Sequence, residues 1–224
     1  MRVVVTGANR GIGLELVRQL RARGDEVEAA CRHPETATQL RELGGRVHRC
    51  DVAEDASVKA FAAELGDTPI DLMINNAGIS GGSHQQLRDM DFEEAVRTYQ
   101  VDALGPLRVS LALLPNLRHG AGKKLAHITS GLGSIGDNRS GGFYGYRMAK
   151  AALNMASKSL AVELRSEGII SVVVNPGWVQ TDMGGKSAAV TVADSVRGIL
   201  HAVDNATLDQ SGEFLDWKGT QYPW

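Results

Sequence analysis

The chain holds two cysteines in 224 residues, too few for a disulfide framework, and neither sits in a paired Cys/His spacing of the kind that binds zinc. A reducing, cytoplasmic setting and no metal are the expectations. Neither sign of charge dominates: 24 Lys plus Arg face 26 Asp plus Glu, a formal net charge of -2, with no block of one sign. That speaks against the basic footprint of a nucleic-acid binder and the cationic face of a membrane-surface protein. No uncharged apolar run approaches the roughly 20 residues of a bilayer span. Met1-Arg2 runs straight into Val3-Val4-Val5, which leaves no room for the apolar core of a secretory signal. Neither nucleic acid nor membrane is therefore expected as a partner.

What the chain has in excess is glycine, 26 residues, within a composition that is 43% hydrophobic and 22% charged. Short apolar, β-branched runs alternate with longer amphipathic stretches, the pattern of a parallel sheet covered on both faces. The runs Arg2–Thr6, Val27–Cys31, Val47–Cys50, Ile70–Ile74, Leu125–Thr129, Ile169–Asn175 and Glu213–Asp216 are expected strands. Their near-continuous apolar character fits strands buried on both faces. Helical spacing covers Ile12–Arg23, Pro34–Leu43, Ser57–Leu65, Asp91–Leu117, Gly145–Arg165 and Thr191–Val203. Seven strands and six helices predict one doubly wound α/β domain over residues 1–224, with its ligand site beyond the carboxyl ends of the strands.

The first strand ends in Thr6-Gly7-Ala8-Asn9-Arg10-Gly11-Ile12-Gly13. Glycines permit a tight turn and let backbone amides approach a pyrophosphate, which the positive end of the following helix stabilises. The spacing is GxxxGxG rather than the commoner GxGxxG. An acid at the tip of the second strand would favour NAD, whereas a basic residue accommodates a 2′-phosphate. Here the tip reads Cys31-Arg32, Arg10 lies in the glycine turn, and the nearest acid, Glu28, sits inside the strand. NADP(H) is the expected cofactor, with NAD(H) possible. Cys31 and Cys50 end adjacent strands and read as small buried hydrophobes.

Tyr146 and Lys150 are four apart in a helical stretch and project from one face. A phenol of pKa about 10 is a poor proton carrier at neutral pH. A cation about 4 Å away attracts the phenolate by about 4 kcal/mol at an effective dielectric near 20, roughly three pKa units. The spacing thus predicts a Tyr146 pKa near 7. The fifth strand ends in Ile128-Thr129-Ser130, where Ser130 can hold a substrate carbonyl while Tyr146 protonates it, with Ser134 as the competing candidate.

The order of glycine turn, Asn75-Asn76-Ala77-Gly78, Ser130, Tyr146 with Lys150, and Asn175-Pro176-Gly177 resembles the short-chain dehydrogenase/reductase family. The strings from Tyr146 to Asn154, from Pro176 to Gly185 and from Phe214 to Trp224 look like its C-factor and sniffer-like carbonyl reductase branch. The resemblance implies a single NAD(P)-binding Rossmann domain and an oxidoreductase acting on a small-molecule carbonyl or alcohol. It implies Tyr146 as general acid/base and cofactor contact, Ser130 as carbonyl holder, and Lys150 as the group that lowers the Tyr146 pKa and bonds the nicotinamide ribose. Gly7, Asn9, Arg10, Gly11, Ile12, Gly13 and Arg32 would cradle the phosphates. Asp51 and Val52 would hold the adenine, and Asn76, Ala77 and Gly78 would line the adenosine side. Pro176, Gly177, Val179 and Thr181 would pack against the nicotinamide end. The same resemblance offers an alternative, a C-factor-like nucleotide-binding signalling protein with weak or incidental turnover. It also implies a homodimer or homotetramer built on the two long helices.

Two features depart from the family pattern. The 16-residue interval from Ser130 to Tyr146 is a few residues long, implying a small insertion within Ser134–Gly142 beside the substrate pocket. Where the family usually carries a catalytic Asn, this chain has Asp102, four residues before Pro106. A proline lacks the amide that would bond the Asp102 carbonyl, so a kink is expected there. A carboxylate also cannot donate as an amide does. The resemblance implies a proton relay through a water on the freed carbonyl to the Lys, so Asp102 is expected to keep this catalytic role through its backbone, with slower turnover or a shifted pH optimum. The pocket is expected from Ile79–Met90, Ser134–Phe143 and Trp178–Val190, whose Ile135, Phe143, Trp178 and Met183 suggest a small to medium apolar carbonyl compound.

Overall fold

The alternation of valine-rich runs and amphipathic stretches resolves into seven parallel strands in one sheet, in a computed structural model that describes residues 1–224. They are β1 (Arg2–Thr6), β2 (Glu26–Cys31), β3 (Arg46–Arg49), β4 (Leu72–Asn75), β5 (Lys124–Ile128), β6 (Ile170–Asn175) and β7 (Phe214–Asp216). Their order across the sheet is β3-β2-β1-β4-β5-β6-β7. The chain steps outward from β1 to β3, then returns to the other side of β1. The reversal leaves a crevice between β1 and β4 at their carboxyl ends.

Alternation along each strand sends neighbouring side chains to opposite faces. Val3 and Val5 join one core with Leu16, Leu20, Ile199 and Val203, while Val4, between them, joins the other with Phe61, Val109 and Leu160. The first core is roofed by α1 (Gly11–Ala22) and α8 (Val192–Asn205). The second is roofed by α3 (Asp55–Leu65), α5 (Gly105–Ala112), α6 (Leu114–His119) and α7 (Tyr144–Glu163). A short α2 (Thr38–Glu42) precedes β3, and α4 (Phe92–Tyr99) packs along α7. No helix is long and apolar enough to cross a membrane.

Strand edges sit one or two residues from the expected ones: β3 starts at Arg46 and β4 at Leu72. Two helices differ more. Pro34–Leu43 is a 3₁₀ turn, Pro34–Thr36, followed by α2 alone. The expected helix Asp91–Leu117 is divided into α4, a π turn at Gln100–Leu104, α5 and α6. Pro106 and Pro115 are the cause, each standing in the first turn of the helix that follows its break. In the π turn the Gly105 amide bonds the Gln100 carbonyl five residues back.

Candidate active site

The glycine turn takes its shape from two requirements. Gly7 and Gly11 adopt left-handed backbone at φ +63° and +53°, and a methyl at Gly13 would overlap the Gly7 carbonyl. The turn is tied to the loop after β4. Thr6 Oγ1 accepts the Asn76 and Ala77 amides at 3.1 and 3.2 Å, and Asn76 Nδ2 donates to the Thr6 and Gly7 carbonyls at 3.1 and 3.2 Å. No side chain caps α1, so its first amides remain available to an anion.

These elements wall a cavity of about 240 Å³ in the β1/β4 crevice. Gly7, Asn9, Arg10, Gly11, Ile12 and Gly13 form one wall and Asn76, Ala77 and Gly78 the facing one. One end is closed by Arg32, Asp51 and Val52, together with Cys31, His33 and Cys50, which sequence reasoning did not assign to the site. Both cysteines are free and buried, and burial pushes the Cys50 thiol up to about 12. Glu28 lies inside β2, paired with His48 at 2.8 Å rather than aimed at the cavity. The other end is formed by Asp102, Tyr146, Lys150, Pro176 and Thr181, with Ile79, Asp182 and Met183. Gly177 and Val179 stand behind this wall, Gly177 against Trp217 and Val190, and the buried Val179 bridged to Val190.

Ser130 does not line the cavity, but its hydroxyl lies near enough to the Tyr146 phenol to favour the phenolate slightly, and accepts the Leu132 amide at 3.1 Å. The competing Ser134 is engaged elsewhere, donating to the Trp224 carbonyl at 3.1 Å and accepting the Asp137 amide at 3.0 Å. Lys150 Nζ stands 5.5 Å from the Tyr146 ring centre, donates to the Ile128 carbonyl at 3.2 Å and pairs with Asp102 at 3.1 Å. Asp102 is fully buried and also accepts the Ile79 amide at 2.8 Å.

The expected lowering of Tyr146 toward 7 is reversed. Burial pushes the phenol above its ordinary value, Lys150 pulls it down, and the Asp102 carboxylate pushes it up again. The pairwise argument failed because it left out the cost of burying the phenolate, the largest effect, and counted one charge where two are present. Burial would lower Lys150, yet Asp102 and, after it, Tyr146 hold the ammonium above its usual value. Burial likewise raises the Asp102 carboxyl against the pull of Lys150 and the Ile79 amide.

One positioning residue escaped the sequence. Gln85, buried in the loop after β4, accepts the Tyr146 amide at 2.9 Å and donates to the Ser80 and Gly82 carbonyls. It pins the pocket loop to the first turn of α7. One Gln of the pair Gln85-Gln86 in a glycine-rich loop carries no signal of such a role.

The model of the short chain dehydrogenase family matches residues 1–191. The C-signal protein of Myxococcus xanthus is 50% identical over 167 residues, 75% of this chain and 100% of that one. The NADPH-bound carbonyl reductase from chicken fatty liver superposes with a TM-score of 0.93 at 36% identity, covering 100% of this chain and 98% of that one. The carbonyl reductase Sniffer of D. melanogaster gives 0.94 at 31% identity, covering 100% and 99%.

Proposed function

The chain belongs to the short-chain dehydrogenase family, and from that premise we propose that it is an NADP(H)-dependent reductase of small apolar carbonyl compounds, working reversibly on the alcohols. The observation that carries this reading is the meeting of Ser130, Tyr146 and Lys150 at the end of a cavity whose other walls fit a dinucleotide. The fit rests on the left-handed glycines and uncapped amides of α1, which suit a pyrophosphate, and on Arg10 and Arg32 for a 2′-phosphate. Asp51 and Val52 would hold the adenine, with Asn76, Ala77 and Gly78 along the adenosine. Pro176 and Thr181 would flank the nicotinamide, which when bound supplies the hydride.

The protein's own part is orientation and proton delivery. The Ser130 hydroxyl holds the carbonyl oxygen, and the Tyr146 phenol gives it a proton as negative charge develops there. Hydride and proton together turn C=O into CH–OH, and Lys150 would hold the ribose. The exposed Ile135, Phe143, Trp178 and Met183 support an apolar substrate. The similarity to C-signal keeps a second reading, a signalling protein with incidental turnover.

Parallel titration with NADPH and NADH, followed by a screen of aldehydes, ketones and quinones, tests the proposal. Each charge-assisted contact contributes about 1.5–3 kcal/mol, so R10A and R32A should each weaken NADPH roughly 10- to 100-fold and leave NADH unchanged. Arg10 meets only the exposed Asp182 at 3.2 Å, a pair readily given up to a phosphate. Equal losses for both cofactors would remove the 2′-phosphate reading.

The reading includes a homodimer or homotetramer. Phe92, Val96 and Tyr99 form an exposed stripe on α4, and Met148, Met155 and Val162, seven apart, form another on the adjoining α7. Such stripes suit a self-complementary helical interface. Light scattering should give at least twice the 23.9 kDa chain mass, falling to one chain in V96E/M155E. A monomeric parent at micromolar concentration would sink this part. A cytoplasmic location accords with the two free cysteines.

A further inference from the structure

Asp102 is fully buried, and its Oδ2 has Lys150 Nζ, 3.1 Å away, as its sole polar partner. Building on the reductase reading, we infer that Asp102 is a positioning residue for the proton: as the fixed counter-charge of Lys150, it keeps the Tyr146 phenol a proton donor through neutral and mildly alkaline pH.

The physical ground is geometric. A lone cation beside a phenol stabilises the phenolate, whereas a cation with a carboxylate at contact distance presents a dipole whose effect falls away more steeply. The groups facing Tyr146 can be named element by element. The π turn contributes Asp102, and α7 contributes Lys150. The loop after β4 sets Gly78 and the Ile79 amide against that pair, and the end of β5 brings the Ile128 carbonyl to Lys150 and the Ser130 hydroxyl to Tyr146. Arg108 of α5 is turned away, onto Asp55 and the Gln100 carbonyl. Two full charges thus share the enclosure, and they oppose each other. Burial is the first cause of the upward displacement of Tyr146, with Lys150 pulling down and Asp102 pushing up behind it, and Asp102 is the foremost support that holds Lys150 above its usual value.

An amide at position 102 is nearly isosteric and still accepts the Ile79 N–H, but it leaves the ammonium unopposed. The alkaline limit of proton donation should then move to lower pH. The decisive measurement is the ultraviolet titration of tyrosinate, with the Y146F spectrum subtracted, in the wild-type protein and in D102N. The Tyr146 transition is expected above the ordinary phenol range in the wild type and at least one pH unit lower in D102N. The alkaline limb of kcat/KM for carbonyl reduction should move with it. If D102N does not fold, D102S is read by the same criterion. A transition at the same pH in both proteins, or in neither, overturns the inference. The titration needs no substrate, so a shifted transition in a protein that reduces no carbonyl would sink the reductase reading and leave this one standing.

Discussion

Tyr146→Phe is expected to cut kcat/KM for carbonyl reduction by about 10²- to 10⁴-fold, the usual range for removing a positioned general acid. In barrier terms this is about 3 to 5 kcal/mol. The substitution deletes one oxygen and keeps the ring, so the wall between Lys150 and the mouth of the cavity stays in place. NADPH binding should therefore be largely retained, because the glycine turn with Arg10 along one wall and Arg32 at the far end are untouched. The combination separates the two readings of function. Full biological effect in Y146F would favour the signalling protein, and retained turnover would show that another group supplies the proton.

Lys150→Met should produce the largest loss of stability. It leaves the Asp102 carboxylate fully buried with only the Ile79 amide for company. Breaking a buried pair from one side costs about 3–5 kcal/mol, or roughly 6 to 20 °C in Tm for a chain of this size. The pH dependence follows from the sign of the shift. With the ammonium gone, burial raises the folded-state Asp102 pKa further above its unfolded value near 4. A raised carboxyl stabilises the fold below its unfolded pKa and loses that contribution as pH rises through the folded one. The Tm deficit should accordingly be greatest at neutral pH and shrink on acidification toward pH 5. D102N/K150M, which removes both charges, should recover much of the loss. An unchanged Tm in K150M would mean that the pair is not buried as described.

These two residues also show where sequence reading succeeds and where it stops. The i,i+4 relation of Tyr146 and Lys150 is local and survives intact in α7. The β1 run of valines is nearly self-sufficient as a signal, since a strand buried on both faces must be apolar throughout. The electrostatics of the site were not local. Asp102 reaches Lys150 across 48 residues of chain, and only the packed structure reveals that a second charge opposes the first and that both are buried. Gln85 is invisible for the same reason, its partner being the Tyr146 amide 61 residues on. Pro106 did signal a break, but not that it would be absorbed as a π turn.

That π turn sets the rotational phase of everything after it. An α-helix advances about 100° per residue, so the extra residue taken up at Gln100–Leu104 turns α5 by about that angle relative to an unbroken continuation of α4. Val109 and Ser110 face inward, and Leu111 outward, because of this offset. Losing one residue from the turn would point the greasy side of α5 at water and swing Asp102 out of reach of Lys150. The segment therefore tolerates changes of side chain far better than changes of length, and core packing and proton chemistry are indexed by the same single residue.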